Sequence, residues 1–264
     1  MTDWLITVPL GAVLGFLIGL TGVGGGALVA PSLYVILGLN YQDSIALSLV
    51  YSLFTKIVGG IQHIRQGTVL WKITLVYGLA GIPGSILGSH AIYRMGHATE
   101  RVFPYVMAAL LVTVAVLILL ETLLRRLAAR EKPFSPYALT PSAVVAIVIF
   151  QLFVGLLLGI TSVGSGSLVI LSMLYLFRMT TQQIVGSNLV IALMMVIPAG
   201  LTHFGLGGVS VSLLVLLMLG SLIGTVLGAK TALRLPGWAL NLIIVILILA
   251  GAVATAAKAG QIAR

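Results

Sequence analysis

The sequence predicts an all-α polytopic membrane protein that contains two repeats of inverted topology. Of its 264 residues, 60% are hydrophobic and only 7% are charged, and the mean hydropathy is +1.21. Soluble domains carry about 25% charged residues, so this composition indicates a chain that lies mostly within a bilayer. The other two observations are an internal repeat and a glycine-rich interruption at the same place in each repeat.

The internal repeat becomes visible when the chain is shifted by 140 residues against itself. LIGLTGVGGGALV at residues 17–29 aligns with LLGITSVGSGSLV at 157–169, and GIQHIRQGTV from Gly60 aligns with GLTHFGLGGV from Gly200. Several blocks in one register indicate a duplicated chain. The predicted divisions are a first membrane repeat at residues 1–124, a basic cytoplasmic linker at 125–140 and a second membrane repeat at 141–264.

Each repeat offers three apolar runs that could cross a bilayer, which takes about 20 helical residues. The predicted spans are residues 44–64, 70–93, 102–124, 183–203, 208–230 and 238–258. Before these spans, each repeat has an apolar piece, the glycine-rich interruption and a second piece, at 27–38 and 167–178, that is too short to span unaided. We interpret the two pieces as a glycine-broken helical hairpin.

Loop charge predicts the orientation of the helices. Four basic residues between positions 125 and 132 place the linker in the cytoplasm. An odd number of segments in each repeat then keeps Lys230 and Arg234 inside, and only the loop with Arg94 and Arg101 disagrees. The halves are therefore expected to have opposite topology, an architecture common among secondary transporters, whose substrate site lies near the membrane midplane.

Composition and motifs also exclude several classes of function. The 14 Lys and Arg residues are spread over loops and helix ends, so phospholipid headgroups explain the net charge of +9 better than nucleic acid does. The absence of cysteine excludes disulfides and thiol chemistry. No nucleotide-binding motif, metal-ligand cluster, nucleophile elbow or pair of acids is present, so we expect no enzyme activity, cofactor or metal.

The two interruptions are the first candidate binding elements. Unpaired backbone groups in hydrocarbon cost several kcal/mol each unless they line a cavity or are buried in protein. We therefore expect half-helix N-termini at residues 24–27 and 164–167 to meet near the membrane centre and to offer free N–H groups to an anion. The candidate substrate ligands there are Thr21, Gly24, Gly25, Gly26, Thr161, Ser162, Gly164, Ser165 and Gly166.

Glycines spaced by four residues predict close helix packing instead of a binding site. The two such series are Gly11, Gly15, Gly19 and Gly220, Gly224, Gly228. The interruption glycines could have the same packing role. The Thr and Ser residues among them, and the short piece that follows each cluster, favour a substrate site.

A polar stripe in the 44–64 span supplies the second candidate element. Ser48, Ser52, Lys56 and His63 recur there at helical spacing. A lysine at the membrane centre costs about 2.5–3.5 kcal/mol on insertion scales and normally faces a polar interior. All five acidic residues lie at or near span ends in the first half or in the linker, so we expect Lys56 and Ser52 to contact the substrate anion. A neutral or snorkelling lysine is the alternative.

Other polar residues complete the candidate set. His63 and His203 occupy equivalent positions and are candidates for proton coupling, because histidine titrates near neutral pH. Structural hydrogen bonding at a helix end is the alternative role. Asn188 is a further candidate substrate ligand. Carbonyl groups of the broken helices could hold sodium, since no carboxylate site is available.

These motifs together resemble the TauE/SafE sulfite and organosulfonate exporter family, also called the toluene sulfonate uptake permease family. The resemblance covers nearly the whole chain and is carried by the glycine clusters, TKIVGGIQHIRQGTVLW at residues 55–71 and paired G-x-x-L-G motifs. It implies a multi-pass transporter of sulfite, sulfoacetate or related sulfonates in the bacterial inner membrane. It also favours Lys56, His63 and Arg65 as functional residues. Leu70 replaces an expected acidic residue, and serines replace glycines in the second cluster.

Two alternatives to a coupled exporter stay open at the level of sequence. One is an uncoupled anion channel or facilitator, and the other, which the motifs disfavour, is a membrane enzyme or a scaffold that transports nothing. The expected partners are a small anionic substrate and the lipid bilayer, and a homodimer is one assembly state that the sequence leaves open.

Overall fold

The computed structural model describes residues 4–21, 26–95, 98–128, 140–177, 179–206, 210–232 and 237–262. These residues form ten α-helices and no strand, which confirms the all-α prediction. The first five helices are α1 (Trp4–Thr21), α2 (Gly26–Val35), α3 (Tyr41–Arg65), α4 (Trp71–Arg94) and α5 (Ala98–Ala128). The next five are α6 (Pro141–Thr161), α7 (Ser167–Leu176), α8 (Thr181–Gly205), α9 (Val211–Ala232) and α10 (Gly237–Ile262).

Seven of the described helices are long and apolar enough to cross a membrane. They are the six predicted spans, now α3, α4, α5, α8, α9 and α10, together with α6. Helices α2 and α7 have ten residues each, and they are the short second pieces that the sequence predicted at 27–38 and 167–178. Ten residues rise about 15 Å, half of the hydrocarbon thickness. Helix α5 continues past the predicted linker boundary to Ala128, and residues 129–139 lie outside the described part of the chain.

Equivalent helices of the two halves begin at equivalent positions. Asn40 caps α3 by accepting a hydrogen bond from the Asp43 amide at 2.7 Å. Thr180, 140 residues later, caps α8 and forms a capping box with Gln183. The same local signal therefore starts the third helix of each half.

The two halves interlock because the first helix of each packs along the fourth helix of the other. These pairs are α1 with α9 and α6 with α4, while α3 also packs on α8 and α5 on α10. A Cβ atom added to Gly15 would overlap the Ser221 carbonyl oxygen, and one added to Gly224 would overlap the Ala12 carbonyl oxygen. The other four glycines of the two series meet equally close backbone, which confirms their predicted packing role.

The third helices, α3 and α8, cross in opposite directions. Gly59, near the end of α3, lies beside Leu189, near the start of α8, whereas Gly200, near the end of α8, lies beside Val50. Antiparallel equivalent helices are what inverted topology requires. The orientation of each half in the bilayer stays a prediction.

One pair of equivalent contacts differs strongly between the halves. Helix α4 packs along α8, but α9 makes only a small contact with α3. Gly78 of α4 leaves room for Met194 of α8, and the repeat places Met218 at the corresponding position of α9. The two positions thus differ in side-chain size, and only the glycine gives its helix room for a side chain of α8.

Substitution Gly224→Ala should lower the stability of the protein. The added methyl group would meet the Ala12 carbonyl oxygen and the Phe16 amide, so we expect a loss of about 1–3 kcal/mol in the free energy of unfolding. The measurement is the thermal unfolding midpoint in detergent. Gly205→Ala is the matched control, because a Cβ atom there meets nothing within 4 Å. Alanine is the better helix former at both sites, so equal midpoints for the two variants would contradict the packing interpretation.

Candidate functional site

The second glycine cluster forms a sharp turn between α6 and α7. Helix α6 ends at Thr161, and its C-cap residue Ser162 adopts the left-handed conformation with φ 60°. Ser162 is the only residue other than glycine with positive φ in the described chain. Gly164 follows with φ 109°, a value that glycine adopts without a steric penalty. The predicted helix break is therefore present in this half.

The carbonyl groups at the end of α6 receive hydrogen bonds from other helices. His203 Nε2 of α8 donates to the Gly159 oxygen at 3.2 Å, and the Tyr41 hydroxyl of α3 donates to the Ile160 oxygen at 3.1 Å. The Thr161 hydroxyl donates to the Leu157 oxygen at 2.6 Å and accepts from the Val163 amide at 3.2 Å. Thr161 thus closes the helix end, and its hydroxyl is already engaged by backbone. A break inside hydrocarbon needs such partners.

The N-terminus of α7, by contrast, has no side-chain cap. Gly166 is the N-cap residue, and a Cβ atom there would meet nothing within 4 Å, so open space adjoins this helix end. Ser165 is buried beside it, and within the described chain no hydrogen bond of its hydroxyl is found. The first N–H groups of a helix have no partner in that helix and lie at the positive end of its dipole. This end can accept an anion.

The start of α2 touches the turn after α6. Gly26, the first residue of α2, lies so close to Ser162 that a Cβ atom would overlap the Ser162 carbonyl oxygen. The structure thus brings together one glycine of the first cluster and the turn of the second. Gly24 and Gly25 lie outside the described residues, as does the side chain of Thr21.

The polar stripe of α3 reaches the same turn. Ser44, Ser48, Ser52 and Lys56 follow one another at intervals of four residues and are all buried. The hydroxyl groups of Ser48 and Ser162 lie 3.0 Å apart. Lys56 is two turns farther along the helix, about 12 Å from Ser48 at 1.5 Å per residue.

Lys56 is a buried cation. It is 6% exposed, and in the described part of the chain neither a hydrogen bond nor an ion pair of its ammonium group is found. Its burial places it inside the bundle, on the same stripe as Ser48. A buried charge without a partner is strongly unfavourable, so a bound anion would stabilise Lys56 in its charged form.

Two buried amide side chains carry oxygen atoms without partners. Asn188 of α8 is 7% exposed, and its Oδ1 has no hydrogen bond in the described structure. Gln151 of α6 is fully buried; its Nε2 donates to the Tyr77 oxygen at 3.2 Å, while its Oε1 has no partner. Sequence reasoning selected Asn188 and missed Gln151, although a glutamine within the apolar run AIVIFQLFVG is a signal that could have found it.

The two equivalent histidines have different surroundings. His203 is fully buried between three helices, with Nε2 on the Gly159 carbonyl and Nδ1 3.2 Å from the Tyr93 hydroxyl. Because a carbonyl only accepts, Nε2 must carry the proton. His63 is partly exposed, and its Nδ1 lies 2.9 Å from the Thr68 hydroxyl. His203 therefore has the surroundings of a structural histidine, whereas part of the His63 side chain is open to the outside of the bundle.

Ser187 of α8 is a further buried polar residue, and its partner is backbone. Its hydroxyl accepts a hydrogen bond from the Leu70 amide at 3.0 Å, which fastens the start of α4 to α8. Arg65, which the resemblance favours, is exposed at the end of α3.

The helix bundle and its paired breaks define an integral, multi-pass membrane protein, and comparison with known proteins identifies its class. The chain is 33% identical over 245 residues to the probable membrane transporter protein YjnA of Bacillus subtilis, a match that covers 92% of this chain and 95% of that protein. It is 24% identical over 223 residues to the probable membrane transporter protein YdhB of the same organism, covering 84% and 88%. No solved structure matches the chain.

The chain belongs to the Sulfite exporter TauE/SafE family, whose match extends over residues 7–255. The resemblance seen in the motifs is thereby confirmed, and the protein is a membrane transporter. The roles of individual residues at the breaks stay predictions.

Substitution Gly26→Ala should disturb the contact between the two breaks. Its methyl group would overlap the Ser162 carbonyl oxygen, so we expect the free energy of unfolding to fall by about 1–3 kcal/mol. Thermal unfolding in detergent checks this value. Gly166→Ala is the matched control from the other cluster, because its methyl group would enter open space. A Gly26→Ala variant as stable as wild type would show that the breaks are not in contact.

Proposed function

We propose that the protein is a secondary transporter that moves small sulfur-containing anions, such as sulfite, sulfoacetate or related organosulfonates, across the cell membrane by alternating access. The family description and the relatives named as probable membrane transporters support this proposal. The observation that carries it is the contact of Gly26 with Ser162, because it joins the two breaks beside the uncapped N-terminus of α7.

The chemistry of the second break suits an oxyanion better than a cation. The carbonyl groups of Gly159 and Ile160 accept hydrogen bonds from the protein, whereas the first N–H groups of α7 have no side-chain partner. Sulfite and sulfonate groups carry several acceptor oxygens, and hydrogen bonds to charged acceptors are about twice as strong as neutral ones. The Ser165 hydroxyl lies next to the same helix end and can add a donor.

Lys56 contributes a fixed positive charge in this scheme. At a distance of about 12 Å and an effective dielectric constant of about 20, a unit charge attracts an anion by about 1.4 kcal/mol, or about tenfold in affinity. The attraction would grow if the anion moves along the serine stripe toward Lys56. The serines at positions 48 and 52 line that route.

Alternating access by two equivalent halves needs a pair of equivalent helix contacts, of which one is closed while the other is open. The pairs α1 with α9 and α4 with α6 are held by backbone packed on backbone and are expected to move as rigid units. The contact of α4 with α8 has only a small counterpart between α9 and α3. We infer that access to the breaks changes mainly at these two places.

Substitution Lys56→Ala should weaken anion transport. We expect uptake at subsaturating sulfite into proteoliposomes to fall about tenfold, because the attraction of the buried charge is lost. Lys72→Ala, which removes an exposed cation at the start of α4, is the matched control, and Lys56→Arg should keep part of the activity. Equal uptake by wild type and Lys56→Ala would defeat the electrostatic argument.

The alternative function is an uncoupled anion channel or facilitator. It is favoured by the lack of any acidic residue in the second half, which leaves few groups for a coupling ion. Counterflow separates the two functions. If the protein is a carrier, unlabelled sulfite loaded into the proteoliposomes accelerates the entry of labelled sulfite, whereas a channel shows no such stimulation. Flux equal to that of empty liposomes would contradict both.

If protons drive transport, His63 rather than His203 should be the group that carries them. His63→Gln should abolish the stimulation of sulfite uptake by a pH gradient, because His63 is partly exposed whereas His203 is fully buried. His203→Gln should keep that stimulation and lower the thermal unfolding midpoint, because it disturbs the buried bond to Gly159. The reverse pattern would assign proton coupling to His203.

A further inference from the structure

An apolar groove lies between α1, α2 and α10, away from the turn after α6. Its volume is about 240 Å³, and it is partly open to the outside of the bundle. Small side chains of α10, among them Ala250, Gly251 and Ala254, form one wall, and Ala27 and Pro31 of α2 form another. The groove exists because α2 covers only part of the length of its neighbours and the small residues of α10 do not fill the remaining space.

A cation lies one turn beyond the outer end of this groove. Lys258 follows Ala254 by four residues and therefore lies on the same face of α10. Its ammonium group donates a hydrogen bond to the Tyr34 carbonyl oxygen near the end of α2 and lies 4.2 Å from the centroid of the Tyr34 ring. Lys258 is partly exposed, so it can also meet a group from outside the bundle.

No carboxylate forms an ion pair with Lys258 among the described residues, although the charge of Glu100 acts on it from a distance. Glu100 is the nearby acid, but its Oε1 accepts a hydrogen bond from the Tyr41 amide at 2.5 Å and thereby holds the start of α3. The ammonium group has three donors, and only one is used by the Tyr34 carbonyl. Positive charge thus remains available at the mouth of an apolar groove.

The distance from the inner end of the groove to Lys258 matches one leaflet of a bilayer. Lys258 and Leu247, at its inner end, are eleven residues apart on α10, a rise of about 16 Å and close to half of the hydrocarbon thickness. Lys258 lies one turn from the end of α10, near the depth expected for headgroups. A molecule with a negative head and an apolar chain of leaflet length fits both ends.

We propose that this groove binds one anionic phospholipid, with its phosphate at Lys258 and an acyl chain along α10 toward Ala27. The equivalent place beside α6, α7 and α5 offers no such pairing, because the residue of α5 equivalent to Lys258 is Ile118. The inner end of the groove reaches Ala27, next to Gly26 at the first break. Bound lipid would therefore touch the half-helix that contacts Ser162.

Native mass spectrometry of the purified protein tests this proposal without measuring transport. The protein is mixed with phosphatidylglycerol or phosphatidylcholine of identical chains, and bound lipid is counted. We expect wild type to retain one phosphatidylglycerol and Lys258→Gln to bind it about tenfold more weakly, while Lys258→Arg and the exposed-site control Lys230→Gln bind it as wild type does. Ala254→Phe, which fills the groove, should reduce binding of both lipids.

Three results would overturn the proposal. Equal retention of phosphatidylglycerol by wild type and Lys258→Gln would show that Lys258 does not hold a headgroup. Equal binding of the two lipids by wild type would indicate a neutral occupant, and undiminished binding by Ala254→Phe would place the lipid elsewhere. Thermal unfolding midpoints of Lys258→Gln and Lys258→Arg are compared without added lipid. Equal midpoints show that a difference in lipid retention reflects lost binding and not lost folding.

Discussion

Hydrocarbon offers no hydrogen-bond partner to a backbone that leaves the helical conformation, and the structure around the second break follows from this constraint. When α6 ends at Thr161, its last carbonyl groups must be paired inside the protein. Tyr41 and His203 supply the donors, and they come from the third helices of the two halves. The need to satisfy one helix end therefore fixes α3 and α8 against the centre of the bundle. It also gives a buried histidine a structural role.

The same constraint gives the break its chemical polarity. The carbonyl end is closed by protein donors, while the N-terminus of α7 opens beside Gly166 into free space. A turn that satisfies its acceptors and leaves donors available favours an anion over a cation. Sodium held by these carbonyl groups, an option left open by the sequence, would have to share them with His203 or Tyr41. The opposed breaks are held near each other by the interlocked pairs α1 with α9 and α4 with α6, where glycine lets backbones touch.

The two halves share a fold but differ in the chemistry of equivalent positions. His203 is sealed within the bundle, whereas His63 is partly exposed; Lys258 binds the end of α2, whereas its equivalent is Ile118. Met218 replaces the glycine that lets α4 approach α8. The two halves thus share a framework, and individual differences place a buried lysine in one half and the closed helix end in the other.

Sequence by itself determined the helical membrane class, the six spans, the short α2 and α7, and the packing surfaces at Gly15 and Gly224, because hydropathy and small-residue spacing are local properties. It also located the breaks, since glycine clusters are visible without a fold. Only the tertiary structure decided that Gly26 meets Ser162, that Gln151 is buried with an unpaired oxygen, and that the Ser48 hydroxyl lies beside the hydroxyl of Ser162. Those facts depend on which helices become neighbours, and that choice rests on contacts between residues far apart in the chain.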